Sequence, residues 1–346
     1  MILMLIMMVL SAVIAWGVAS WLIRSAEALG LVQLPNHRSS HHHPTPIGGG
    51  LGIVVAGSIA GVNLVLISGW TLGWFVLGLG ALLAAVGLRD DIHYLPARLR
   101  FGVQVFVCAG VLFAIGDLPH LVFSVGLEFQ VAGWLLFALL LLAGVWWINL
   151  FNFMDGIDGI AGAQAVFMLL AGAALAVWTN PESFLSPAWQ LMLFVAVAAV
   201  GFLLLNWPPA KIFMGDVGST WLPFIVFALA LISVKSNWLS YASWLVLAAV
   251  FVTDTTVTLL SRVLRGECWF EAHSSHAYQR LSRLAKVDRD TSHLLVTLLA
   301  VAVNVLWLWP WAWACLKWPS EAFAFVVTAY LPLLFVAFWL GAGKSD

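Results

Sequence analysis

The chain has 346 residues, 63% of them hydrophobic and only 9% charged, with a net charge of −1 and a mean hydropathy of +1.01. The length alone would allow two soluble domains, but this composition excludes them and points to one all-α polytopic membrane domain over 1–346. The near-zero charge says little about partners, and nucleic acid is not expected among them.

Apolar stretches long enough to cross a hydrocarbon core recur along almost the whole chain. Eleven are expected, at 2–23, 48–68, 72–88, 101–116, 133–151, 160–178, 188–206, 219–234, 238–261, 292–313 and 322–341. The first has no basic segment and no small-residue cleavage site before Arg24, so it reads as a retained span rather than a signal peptide. Next comes RSSHHHPTPIGGG, whose Thr45, Gly48 and Gly49 open the second span. A glycine run at a helix N-terminus can present N–H groups to an anion; tight helix packing is the alternative use. The histidine triplet His41, His42 and His43 reads as a wet loop.

The third span ends in GLRDDIHYL. Adjacent carboxylates such as Asp90 and Asp91 repel unless a cation lies between them or one is protonated; a solvated helix end is the plain alternative. Arg98 and Arg100 follow. The alternation in LVFSVGLEFQV, within 117–132, predicts a small hairpin. The fifth span runs into NLFNFMDGIDGIAG, where Asn149, Asn152, Asp155 and Asp158 recur every three residues and so share a drifting helical face. Gly156 and Gly159 allow a turn or the close approach of a ligand.

Before the eighth span, FMGDVGST places Asp216 where it could cap the helix or, with Lys211 nearby, serve a metal and a phosphate. Asp254 lies inside the ninth span. The last large loop carries Arg262, Arg265 and EAHSSHAYQRL, with His273, His276 and Tyr278 beside Arg280 and Arg283, a set that could grip a pyrophosphate.

The basic residues set the orientation. With the N-terminus outside and the C-terminus in the cytoplasm, only Lys235 and Lys317 of the fifteen Lys and Arg residues fall outside. Asp90, Asp91, Asp155, Asp158 and Asp216 then all face the cytoplasm. A carboxylate at the edge of a bilayer costs several kcal/mol unless solvated, paired or metal-bound, so one shared site is expected. Oxygen ligands without a zinc-spaced Cys/His set favour Mg²⁺, with Mn²⁺ as the alternative. Cys108, Cys268 and Cys315 suggest neither a disulfide framework nor a zinc site. Tryptophans near span ends, among them Trp146, Trp147, Trp221 and Trp238, read as an interfacial belt.

Taken in order, PTPIGGG, the acidic pair with Arg100 and Gln104, NLFNFMDGIDGIAG, FMGDVGS and a histidine loop resemble the polyprenyl-phosphate N-acetylhexosamine-1-phosphate transferase superfamily. The resemblance covers about 24–285, and RSSHHHPTPIGGG with SHAYQRL is most similar to its WecA/WbpL-like branch, which initiates O-antigen chains. It implies an enzyme of the bacterial inner membrane, multi-pass and active on cytoplasmic loops. The activity implied is Mg²⁺-dependent transfer of a sugar-1-phosphate from a UDP-N-acetylhexosamine to undecaprenyl phosphate, with release of UMP. The sugar would be GlcNAc or a 6-deoxy derivative such as FucNAc or QuiNAc; a homodimer is possible, since dimers occur in the superfamily.

Carried onto matching positions, Asp216 is the magnesium ligand, with Asp91 beside it. Asp90 deprotonates or orients the lipid phosphate with Asp91 assisting, and Asp158 joins the catalytic set. Asn149, Asn152, Asp155 and Asp158 line the nucleotide side. Arg100, Lys211, Arg265, His273, His276, Thr45, Gly48 and Gly49 are expected to contact substrate. His276 matches the first histidine of the HxHH pattern, but Tyr278 and Gln279 stand where its other histidines would be. That departure argues against an MraY-type phospho-MurNAc-pentapeptide transferase, the nearest alternative. An ion-coupled transporter would need acids near the midplane and an internal repeat, whereas these acids lie at span ends.

Overall fold

The computed structural model describes residues 2–33, 44–124, 128–267, 274–285 and 287–344. The helices are α1 (Ile2–Leu29), α2 (Gly50–Ser68), α3 (Thr71–Ile92), α4 (Ala97–Ile115), α5 (Gly133–Met154), α6 (Ile160–Thr179), α7 (Pro187–Asn206), α8 (Gly215–Lys235), α9 (Tyr241–Leu247), α10 (Ala249–Leu264), α11 (Ala277–Leu284), α12 (Arg289–Val303), α13 (Trp309–Lys317) and α14 (Ala322–Trp339). Helices α12 and α13 run on through a π-helical turn at Asn304–Leu308. Among the described residues, ten helices are long and apolar enough to cross a membrane, and the pair α9–α10, bent by 73°, makes up to an eleventh. The expected spans therefore all have counterparts, although α1 continues past Arg24 to Leu29.

The predicted hairpin is present: β3 (Leu121–Ser124) pairs antiparallel with β4 (Glu128–Val131), Leu121 opposite Val131. A shorter pairing of β1 (Val32–Gln33) with β2 (Thr45–Pro46) sets the approach to α2. The hydropathy pattern gave no sign of the break in the ninth span. At that break the Leu247 carbonyl accepts a hydrogen bond from Gln164 Nε2 at 3.0 Å, and Gln164 Oε1 accepts one from Asn304 Nδ2 at 2.7 Å. In an apolar interior, side-chain amides of this kind satisfy backbone groups that a regular helix would pair internally.

Helix α8 is the buried axis of the bundle, packed by α3, α5 and α2. Close approach comes from glycine. A Cβ at Gly50 would land on Gly218 Cα and lie 2.9 Å from the Met214 carbonyl oxygen, whereas a Cβ at Gly78 would meet open space. Gly50→Ala is therefore expected to lower the thermal unfolding midpoint in detergent by several degrees, as overpacking costs about 1–3 kcal/mol. Gly78→Ala should leave it unchanged. Equal midpoints for the two variants would contradict the α2–α8 contact.

Part of the expected tryptophan belt is core instead. Trp221 is 1% exposed, fitted against Gly57 and Gly80, and Trp147 is buried with its indole N–H donating to the Pro223 carbonyl at 3.0 Å. Trp238 is buried as well. A Trp near a span end is read from sequence as interfacial, but facing glycines turn it inward.

Candidate active site

The C-terminal ends of α3 and α5 and the N-terminal ends of α4 and α8 meet at one end of the bundle. Asp90 and Asp91, adjacent in sequence, relieve their repulsion by pointing apart. Asp90 accepts the Leu95 N–H at 2.6 Å and pairs with Arg100 Nη1 at 2.7 Å. The two oxygens of Asp91 accept the backbone N–H groups of Asp216 at 2.7 Å and Val217 at 3.1 Å. Asp91 thus closes the N-terminus of α8 from another helix, where the first N–H groups lack intrahelical partners and the dipole favours an anion. The capping alternative for Asp216 is therefore not the one the structure takes. Both Asp91 oxygens, expected to serve the metal and the chemistry, are taken up by that backbone.

Asp216 is the hub. One oxygen accepts from Asn152 Nδ2 at 2.8 Å and the other lies 3.2 Å from Arg100 Nη1, the guanidinium that also holds Asp90. Asn152 Nδ2 is also 2.7 Å from Ser219 Oγ. One turn earlier, Asn149 Nδ2 donates to Gln104 Oε1 on α4 at 2.7 Å. The two asparagines share a helical face as expected, but the series stops there. Helix α5 ends at Met154, and Asp155 is its C-cap at φ −80°, ψ 43°. Asp155 donates its own N–H to the Asn152 carbonyl, while its carboxylate has no hydrogen-bond partner among the described residues. Desolvation first, then the charges of Asp216, Asp91 and Asp158, push its pKa well above the usual carboxylate range. An unpaired carboxylate in that field invites a cation.

Among the described residues Asp158 makes no hydrogen bond or ion pair to Asp90, Asp91 or Asp216, although its charge reaches Asp155, so the five acids do not share one set of partners. Asp158 is 2% exposed and accepts the Ala210 N–H at 3.0 Å. Arg289 Nη2 and His293 Nδ1, both on α12, lie 3.1 and 3.3 Å from Oδ1. Burial would raise its pKa, but the hydrogen bonds from His293 and Ala210 and the charges of His293 and Arg289 outweigh it and hold the group below the usual range. Asp158 fastens α12 to the loops before α6 and α8.

The other expected contacts are dispersed. Gly49 and Gly50 donate their N–H groups to the carbonyls of Phe213 and Met214, each at 2.9 Å, and Phe213 N–H donates to Pro46 O. The glycine run, with Thr45 in β2 and Gly48 buried at φ +89°, therefore packs against the FMGD segment instead of presenting those donors to an anion. Lys211 is exposed, and Arg265 Nη1 reaches the Gly343 carbonyl at 3.3 Å. Arg280 likewise binds the Leu340 and Lys344 carbonyls. His273 lies outside the described residues. His276 is buried at the N-cap of α11, its Nδ1 3.1 Å from Asp254.

Sequence reasoning found Asp254 without finding its partners. It accepts the N–H groups of Ala277 at 3.0 Å and Tyr278 at 2.8 Å as well, tying α11 to the bent ninth span.

A cavity of about 270 Å³ leads away from the hub between α4 and α5. Arg100, Asn152 and Asp216 form its polar end, and Leu83, Phe101, Leu142 and Trp146 its apolar walls. Phe101 and Leu142 are exposed, so it opens toward the apolar surface of the bundle.

The donor set suits a hard divalent cation. Among the described residues no three acidic, His or Cys side chains already converge on a metal position. Magnesium does not require that, since it is held by one or two carboxylates plus water and substrate phosphates. Asp216 and the unpaired Asp155 are the residues that fit.

A family model described as glycosyl transferase family 4 matches residues 73–234. A probable undecaprenyl-phosphate N-acetylglucosaminyl 1-phosphate transferase of Bacillus subtilis is 31% identical over 75% of this chain and 71% of its own. A decaprenyl-phosphate N-acetylglucosaminephosphotransferase of Mycobacterium tuberculosis is 29% identical over 76% and 72%. A phospho-N-acetylmuramoyl-pentapeptide-transferase of Chlamydia trachomatis is 30% identical over 78% and 83%.

Proposed function

Because the chain belongs to glycosyl transferase family 4, we propose that it transfers an N-acetylhexosamine-1-phosphate from a UDP-sugar to undecaprenyl phosphate and releases UMP. The observation that carries this reading is the Asp216 hub at the polar end of a cavity open to the bundle's apolar surface. A phosphate on a long isoprenoid chain needs that combination. The lipid would reach the site between α4 and α5.

The transfer joins two anions, so charge neutralisation and alignment supply most of the rate. Arg100 sits between Asp90 and Asp216 and would turn toward the incoming lipid phosphate. Asp90 would orient that phosphate and take its proton if one remains. An oxygen of the lipid phosphate then attacks the β-phosphorus, and the bond to UMP breaks. Asp216 and Asp155 would hold a magnesium ion, and the chemistry such an ion supplies when bound is positive charge for the pyrophosphate. Asn152 keeps Asp216 in place throughout.

The excess of basic residues at this end of the bundle supports a cytoplasmic site in a bacterial inner membrane. The likeness of RSSHHHPTPIGGG and SHAYQRL to O-antigen-initiating enzymes favours GlcNAc or a 6-deoxy N-acetylhexosamine as the sugar. The identity to phospho-N-acetylmuramoyl-pentapeptide transferases keeps a second donor in play. Purified protein supplied with undecaprenyl phosphate, Mg²⁺ and separate UDP-sugars distinguishes them. UMP is expected with UDP-GlcNAc or a UDP-6-deoxy-N-acetylhexosamine. UMP from UDP-MurNAc-pentapeptide alone would establish the second reading, and none from any donor would overturn both.

A further inference from the structure

Among the described residues the carboxylate of Asp155 has no side-chain partner, so its direction depends on the backbone of the turn that carries it. One side chain of α11 fastens that turn. The Tyr278 hydroxyl donates to the Phe153 carbonyl at 3.2 Å and accepts the Gly156 N–H. These two backbone groups bracket Asp155. A Cβ on Gly156 would collide with the hydroxyl, which accounts for glycine there: it admits the tyrosine rather than a ligand.

Tyr278 is itself immobilised. It is 5% exposed, its ring stacks on His276 at 5.6 Å, and its N–H is held by Asp254. Farther along α11, Arg280 binds the Leu340 and Lys344 carbonyls, and just before the helix Ser275 O accepts the Gly343 N–H at 2.9 Å. The helix is thus clamped on either side of the turn's fastening, by the ninth span and by the C-terminal segment. Burial, with the charges of Asp254 and Asp155, raises the Tyr278 pKa and keeps the hydroxyl a proton donor.

We propose that Tyr278 is a positioning residue that aims Asp155 at the divalent cation by bridging Phe153 O and Gly156 N–H. The inference rests on the phosphosugar-transferase reading above for its metal. It also gives a task to the tyrosine that stands at a histidine position of the HxHH pattern.

The test compares wild type with Tyr278→Phe, which keeps the ring and loses the hydroxyl. The concentration of Mg²⁺ giving half-maximal UMP release should rise about tenfold, the effect of one lost buried hydrogen bond. The Mn²⁺ dissociation constant, read by electron paramagnetic resonance without substrate, should rise alongside it. The thermal midpoint of the metal-free protein should move by no more than a few degrees, and KM for undecaprenyl phosphate should stay constant. Unchanged Mg²⁺ and Mn²⁺ dependence in an active Tyr278→Phe protein overturns the proposal and leaves the transferase reading standing. A general loss of stability with no selective change in metal affinity makes Tyr278 a packing residue and also overturns it. Wild type that neither binds Mn²⁺ nor releases UMP would sink both.

Discussion

Asp216→Asn is expected to lower phosphosugar transfer by at least about a hundred- to a thousandfold, the scale on which one electrostatic group at a transition state acts. The substitution is nearly isosteric, and its Oδ1 can still accept the Asn152 amide proton. The backbone N–H groups of residues 216 and 217 remain donors to Asp91, so the start of α8 should not move. What disappears is the charge that Arg100 answers and that a divalent cation requires. The measurement is lipid-linked sugar formed per mole of monodisperse protein in detergent, with the thermal midpoint recorded in parallel. Wild-type turnover by Asp216→Asn would remove the hub from the mechanism. Lost turnover with a collapsed midpoint would instead mark Asp216 as structural.

Much of this was legible in the sequence because the bilayer imposes a simple rule. Apolar stretches of fixed length become helices, and charge is confined to their ends. The hairpin between Leu121 and Val131 followed from alternation in the same way. Legibility failed where a residue's partner is distant. Asp91 reads as half of a metal pair until α8, more than a hundred residues later, is seen to offer it two N–H groups. Asp158 reads as a fourth member of a helical stripe, yet α5 ends first and α12 supplies its partners Arg289 and His293. No local pattern announces such contacts, because spacing along one helix holds no information about what packs against it.

The basic residues teach the complementary lesson. Arg265 and Arg280, plausible grips for a pyrophosphate, bind backbone carbonyls of the C-terminal segment. Arg100 is the cation placed between two acids of the hub. Among the described residues no donor reaches the Asp155 carboxylate, whereas Asp90, Asp91, Asp158 and Asp216 each accept from the protein, and that difference, rather than motif membership, marks Asp155 for a ligand.

The adjacent pair offers the sharpest separation of chemistry from architecture. Asp90→Asn should lose transfer about a hundredfold or more with a smaller fall in midpoint than Asp91→Asn, since the amide oxygen can still accept the Leu95 N–H and Arg100, though it loses Asp90, keeps Asp216. Asp91→Asn meets two N–H donors with a single acceptor oxygen, and its amide nitrogen faces one of them. An unsatisfied buried N–H costs about 1–3 kcal/mol, and the negative charge opposite the α8 dipole is lost as well. The midpoint should therefore fall by several degrees, with activity per folded molecule declining far less than in Asp90→Asn. Turnover and unfolding curves on the two proteins, purified in the same detergent, decide the matter. If Asp91→Asn kept its midpoint and lost transfer as completely as Asp90→Asn, Asp91 would belong to the chemistry and its role at the head of α8 would be incidental.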